Sequence, residues 1–166
     1  GNYMDRREAV DFCGRKMDEE KARNLIKAAL SDPFHGIREL AMSKIDLKKE
    51  VQKTSFEKAI AMLAPKESNR PVKASMISAL GNTNNKEYRP LFLANVNDSS
   101  YTLSGAALTA LAKVDSMTAL LEATKLSAST SKGDLDAAIN KILIASGNEE
   151  VFNKFKKAFK GNYTPK

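Results

Sequence analysis

The chain has 166 residues, with 27 Lys+Arg against 20 Asp+Glu, one histidine (His35), one cysteine (Cys13) and no tryptophan. A zinc site of the usual His/Cys type needs three or four ligands and an internal disulfide needs two thiols, so this content can build neither. A hydrophobic share of 42% is that of a globular chain, and any Ser/His/Asp or Cys/His catalysis would have to run through His35.

Apolar residues recur at helical spacing almost throughout. Asp5 with Glu8 reads as a capping pair opening a helix over 5–17, on which Val10, Cys13 and Met17 share one face. Ala22, Leu25, Ile26, Ala29 and Leu30 form the stripe of a second helix over 19–30. Asp32-Pro33 predicts the start of a third over 33–46, with the carboxylate as cap and proline at the first helical position. Thr54 with Glu57 caps a fourth over 55–64, whose stripe is Phe56, Ala59, Ile60 and Leu63. Helices over 70–80 (ending at Gly81), 87–97, 101–113 and 117–127 follow. Ser131 with Asp134 caps the next, over 133–146, which ends at Gly147. A last helix over 149–160 precedes Gly161, and residues 161–166 are expected to fray. No segment alternates with period two, so the fold class is all-α.

Four of these helices align with one another. Ile37, Val72, Leu103 and Leu135 head equivalent nine-residue segments, spaced by 35, 31 and 32 residues. Each segment begins and ends on an aliphatic residue and has small or apolar residues at its centre, and a turn rich in Asp, Asn, Ser or Pro precedes each one. Ala41, Ala74, Ala106, Ala107 and Ala138 allow close helix approach. Periods of this length indicate stacked helical hairpins. The expectation is a single domain over 1–166: a right-handed α-solenoid of about four to five helix pairs, closed by a capping helix over 149–160.

The segment Asp32-Pro33-x-x-Gly36-Ile37-Arg38-x-x-Ala41 resembles the turn and inner helix of a HEAT-like repeat. Two stretches, Tyr3-Met4-Asp5-Arg6-Arg7-Glu8-Ala9 and Asp32-Pro33-Phe34-His35-Gly36-Ile37-Arg38-Glu39-Leu40-Ala41, resemble the C-terminal helical domain of bacterial M1-family zinc aminopeptidases. The resemblance spans the whole chain but is sharp only in those stretches. It implies a non-catalytic domain that packs over the catalytic domain and encloses the substrate chamber. Zinc, held there by His-Glu-x-x-His and a downstream Glu, would lie on that other domain. The implied partners are that domain and peptide substrate at the concave face. No His-Glu-x-x-His or Gly-x-Met-Glu-Asn occurs here, and this reading assigns the chain no catalytic, cofactor-binding or metal-ligating residue and no cofactor of its own.

Single residues read plainly. His35 is expected as a turn residue at a helix start, and Cys13 as a core thiol rather than a reactive one. Arg38 is expected to tie adjacent turns through Asp32 or Asp5, or else to form a surface pair with Glu39. Arg6, Arg7, Arg15, Lys16, Arg23 and Lys27 are interleaved with acids and read as a solvated mixed-sign face. Phe152, Phe155 and Phe159 with Lys154, Lys156, Lys157 and Lys160 make a basic amphipathic helix, read as a terminal cap in preference to a membrane or phosphate contact.

The charge is unevenly distributed. Residues 1–150 carry 22 basic and 20 acidic groups, whereas 151–166 carry five lysines and no acid. The near-neutral body and the lack of tryptophan disfavour a nucleic-acid partner. No run of apolar residues is long enough for a membrane span and no signal-peptide core is visible. Gly1, with the first Met at position 4, suggests a segment of a longer soluble chain, cytoplasmic or periplasmic. A free-standing HEAT-like scaffold for protein partners is the alternative.

Overall fold

The computed structural model describes residues 1–147 and, beyond them, the helical positions Glu149, Asn153 and Lys156. Among the described residues the chain is all-helical, with no strand. The elements are α1 (Tyr3–Gly14), α2 (Glu20–Ala29), α3 (His35–Ser43), α4 (Glu50–Leu63), α5 (Arg70–Gly81), α6 (Arg89–Asn95), α7 (Tyr101–Val114), α8 (Ser116–Ser127) and α9 (Gly133–Ala145). Short 3-10 turns over Ala64–Lys66 and Lys86–Tyr88 lead towards α5 and α6. Apart from those three positions, the helix expected over 149–160 lies outside the described residues, as does the tail over 161–166.

Helices α1, α3, α5, α7 and α9 pack side by side in chain order and form one layer. On its other side α2 packs against α1 and α3, α4 against α5, α6 against α7, and α8 against α7 and α9. The aligned positions explain this layering. Ile37, Val72, Leu103 and Leu135 are all buried, and so are Ala41, Met76, Ala107 and Ile139 four residues later. Each buried aliphatic side chain contributes roughly 1.5–3 kcal/mol, and together they join one continuous core. Of the alanines, Ala41, Ala74, Ala107 and Ala138 are buried, while Ala106 is half-buried against the same core.

Close approach is greatest along α5, α7 and α9. A Cβ added at Gly81 would lie 2.6 Å from the Ala110 Cβ, and one added at Gly105 would lie 2.6 Å from the Asp134 carbonyl carbon. Ser104, fully buried on α7, donates its hydroxyl proton to the Val96 carbonyl just beyond α6.

A recurring ion pair clips the turns to the layer. Arg6 on α1 donates through Nε to Asp32 at 2.8 Å. Arg38 on α3 donates through Nε and Nη2 to both oxygens of Glu67, at 2.7 and 2.8 Å. Arg70 on α5 meets Asp98 at 2.9 Å. Each carboxylate also accepts the backbone N–H two residues on, at Phe34, Asn69 and Ser100. Asp32, Glu67 and Asp98 each stand five residues before the buried aliphatic residue that heads an aligned segment, at Ile37, Val72 and Leu103. The device stops there, since Thr130 holds the next equivalent place. Arg38 therefore does bridge adjacent units, but its carboxylate is Glu67; Asp32 lends Arg38 only its backbone carbonyl and gives its side chain to Arg6.

Several helix starts differ from expectation. Asn2 caps α1 and accepts from Asp5 N, while the Asp5 carboxylate accepts from Asn2 N, so Asp5 is the reciprocal member of a capping box. The first helix ends at Gly14, which leaves Met17 buried in the following turn. Pro33 lies outside α3, which starts at His35, because the Asp32 carboxylate caps Phe34 N within the turn. Thr54 is interior to α4, whose first residue is Glu50. Ser131 donates to Asp136 and does not cap α9. Gly147 does follow α9 in the left-handed region, at φ 77°.

Candidate functional site: a groove of small side chains

The face of the layer away from α2, α4, α6 and α8 carries a groove of about 720 Å³ that crosses α3, α5, α7 and α9. Its floor is built from short side chains, including Ala74, Ser78, Gly105, Ala106 and Ala137. The reason is the layer itself: helices that approach as closely as α7 and α9 do at Gly105 leave no room for long side chains along the seam. The groove is thus a consequence of the packing that holds the layer together.

Its lining carries two acids and one base: Glu39 midway along α3, Asp134 at the start of α9, and Lys141 about 10 Å further along α9 by helical rise. Beside the lining residue Asn82, Lys113 Nζ donates to Asn82 Oδ1 at 2.6 Å, which holds an ammonium near the end of α5 and α7. Partial desolvation first, then the positive charges of Lys48 and Lys141, hold the Lys113 ammonium below the ordinary lysine range. Among the described residues, none of Lys48, Lys113 and Lys141 has a carboxylate partner. The lining offers the hydroxyls of Ser75, Ser78, Thr102 and Thr109 and the charged groups of Glu39, Asp134 and Lys141, which suit binding through hydrogen bonds and ion pairs.

The residues singled out from the sequence lie elsewhere. His35 is exposed at the first position of α3, with its ring 4.9 Å from that of Phe34. Cys13 is partly buried against the core and carries a free thiol. Of the basic residues along α1 and α2, Arg6 meets Asp32 at 2.8 Å, Lys16 meets Glu19 at 3.4 Å and Arg23 donates to the Met17 and Asp18 carbonyls, while Asp11 pairs with Lys44 just beyond α3 at 2.6 Å. Among the described residues no cluster of His, Cys, Asp and Glu could hold a metal ion, and no helix is long and apolar enough to cross a membrane. The groove escaped sequence reading because Ala, Ser and Thr on a helix signal only weak burial.

A second surface forms at the other end of the layer. Tyr3 meets Phe34 edge-on, with ring centroids 5.0 Å apart, beside the Arg6–Asp32 pair. Tyr3, Met4, Phe12 and Phe34 are all exposed there or along α1.

No protein family, curated protein or solved structure matches this chain.

Proposed function

We propose that the chain is a HEAT-like α-solenoid serving as the C-terminal helical domain of an M1-family zinc aminopeptidase, where it packs over the catalytic domain and encloses the substrate chamber. One observation carries the reading. The two stretches whose sequence resembles that domain, 3–9 and 32–41, are brought together through Tyr3–Phe34 and Arg6–Asp32, and they leave Tyr3, Met4 and Phe34 exposed. Clustered exposed apolar side chains of this kind mark a surface for another protein or domain. The repeated arginine–carboxylate clip supports the solenoid half of the proposal, because Asp32, Glu67 and Asp98 are spaced by 35 and 31 residues, as the aligned helices are. Zinc would belong to the catalytic domain, and this chain would shape access to it.

The test is the coding sequence upstream of Asn2. A continuous reading frame with a His-Glu-x-x-His motif is the expected result. In the same reading, the purified chain binds no stoichiometric zinc and releases no amino acid from aminoacyl substrates. Peptidase activity in that chain overturns the proposal, as does a start codon at Met4 with no frame before it. The second result would favour a free-standing interaction scaffold, a reading to which the groove across α3–α9 lends support.

A further inference from the structure

The first helix of the layer packs on α2 and α3 and leaves its opposite side to solvent. We propose that this open face of α1 pairs two copies of the chain, laid antiparallel about a two-fold axis. Asp5, Glu8, Phe12 and Arg15 recur at helical spacing on the side of α1 away from buried Val10, and all four are exposed. With Ala9 and Asp11 they line a shallow depression of about 690 Å³. Ala9 is short enough to leave room there, and the Phe12 ring beside it is 53% exposed. The sign of the charge reverses along the face, from Asp5 and Glu8 near its start to Arg15 and Lys16 at its end. Among the described residues neither Glu8 nor Arg15 has an ionic partner, whereas Asp11 is engaged by Lys44 and Lys16 by Glu19.

Sign and direction select the occupant. Arg6, Arg38 and Arg70, in the first halves of α1, α3 and α5, each reach the turn that precedes the next helix of the layer, so these helices run parallel. A copy that continued the layer through the outer face of its α9 would bring Asp136 beside Asp5 and Glu8, and Lys141 towards Arg15, like charge against like. Antiparallel pairing of α1 with α1 reverses this. With the axis level with Val10, Asp5 of one copy faces Arg15 of the other, and Phe12 lies over Glu8 and Ala9 in the depression. A two-fold interface must be self-complementary, and a helix face whose sign reverses along its length meets that condition. One helix face is small for an interface, so the dimer is weak and reversible. Tyr3 and Phe34 take no part in it, so it stands or falls separately from the function proposed above.

Sedimentation velocity of the whole chain at low salt, from about 10 µM to about 1 mM, tests this. The parent should pass from monomer to dimer over that range, and added salt should weaken the dimer. Glu8→Arg and Arg15→Glu should each weaken self-association about tenfold or more, because each sets like charges against one another across the axis. Both positions are exposed, so both variants should keep the thermal melt of the parent. An equimolar mixture of the two should associate again, as a heterodimer. Phe12→Ser, which leaves every charge in place, should weaken the parent dimer as well. Lys58→Glu, at an exposed position of α4, changes the net charge as much as Arg15→Glu and should dimerise like the parent. The inference is overturned by a parent chain that stays monomeric at the highest concentration, by self-association that survives Glu8→Arg, Arg15→Glu or Phe12→Ser, by equal loss in Lys58→Glu, or by a mixture of the two folded charge variants that fails to associate.

Discussion

Arg38 and Glu67 show how much one side-chain pair carries. The pair is bidentate, the Glu67 side chain is 5% exposed and that of Arg38 15%, and Arg38 Nη1 also donates to the Asp32 and Pro33 carbonyls. Burial by itself would raise the Glu67 pKa. The Arg38 hydrogen bonds, the backbone N–H groups of Asn69 and Ser68 and the Arg38 charge together outweigh it, so the carboxyl stays below its ordinary range. The sign of the pH effect follows. In the window between the folded and unfolded values the unfolded chain binds more protons, so stability rises with pH there. The contribution is complete above the ordinary glutamate value and is lost as pH falls through the folded one. Glu67→Gln should therefore cost about 1–3 kcal/mol near neutrality. Melts followed from about pH 7 to about pH 3 should show the variant and parent converging at the acid end. A constant gap between them across that range would refute the account. Asp115, held well below the usual carboxylate range by Thr118 and then Arg89, adds a second acid-sensitive clip at the start of α8.

At the scale of elements, the seam between α7 and α9 is set by the missing side chain of Gly105. A Cβ there would meet Asp134 O and Leu135 N at 2.7 Å, and these are backbone atoms with no rotamer to change. Gly105→Ala would raise the intrinsic helix propensity of α7, yet it should destabilise the protein by about 1–3 kcal/mol through overpacking. Urea unfolding measures it, and a stabilised variant would mean that the helices can separate freely. The same scale shows what could be read in advance and what could not. Apolar periodicity placed the bodies of the nine α-helices found among the described residues, because Ile37, Phe56, Leu80 and Leu108 bury at the spacing a helix requires. It missed the first turn of α4, where Gln52 is the buried residue, its amide oxygen accepting from Asp46 N, and Val51 is 58% exposed. The arginine clips were legible in part. Arg38 was visible as a bridge, but its partner was sought among aspartates nearby when a glutamate one unit later, five residues before Val72, held the place. The groove was not legible, since its lining is defined by side chains that are short.

At the scale of the molecule, the layers share one core, and Leu108 lies fully buried within it. Leu108→Asp would strand a carboxylate without a partner and should cost several kcal/mol, about the stability of a small domain. An unchanged thermal melt would be incompatible with the layered packing. The net charge of +7 has a similar whole-molecule reading: the body over 1–150 is close to neutral and most of the excess falls in 151–166.

Among the described residues, every substantial contact between α-helices joins helices no more than two apart in chain order. No strong contact closes the array on itself by joining α1 to α9. Loss of α1 therefore strips contacts from α2 and α3 and leaves those among the later described helices in place. The two ends resist in different ways. The α1 end is pinned through Arg6 and Asp32, while the α9 end is held by the snug seam at Gly105. Truncation from one side should thus remove charge pairing first, and truncation from the other should remove shape.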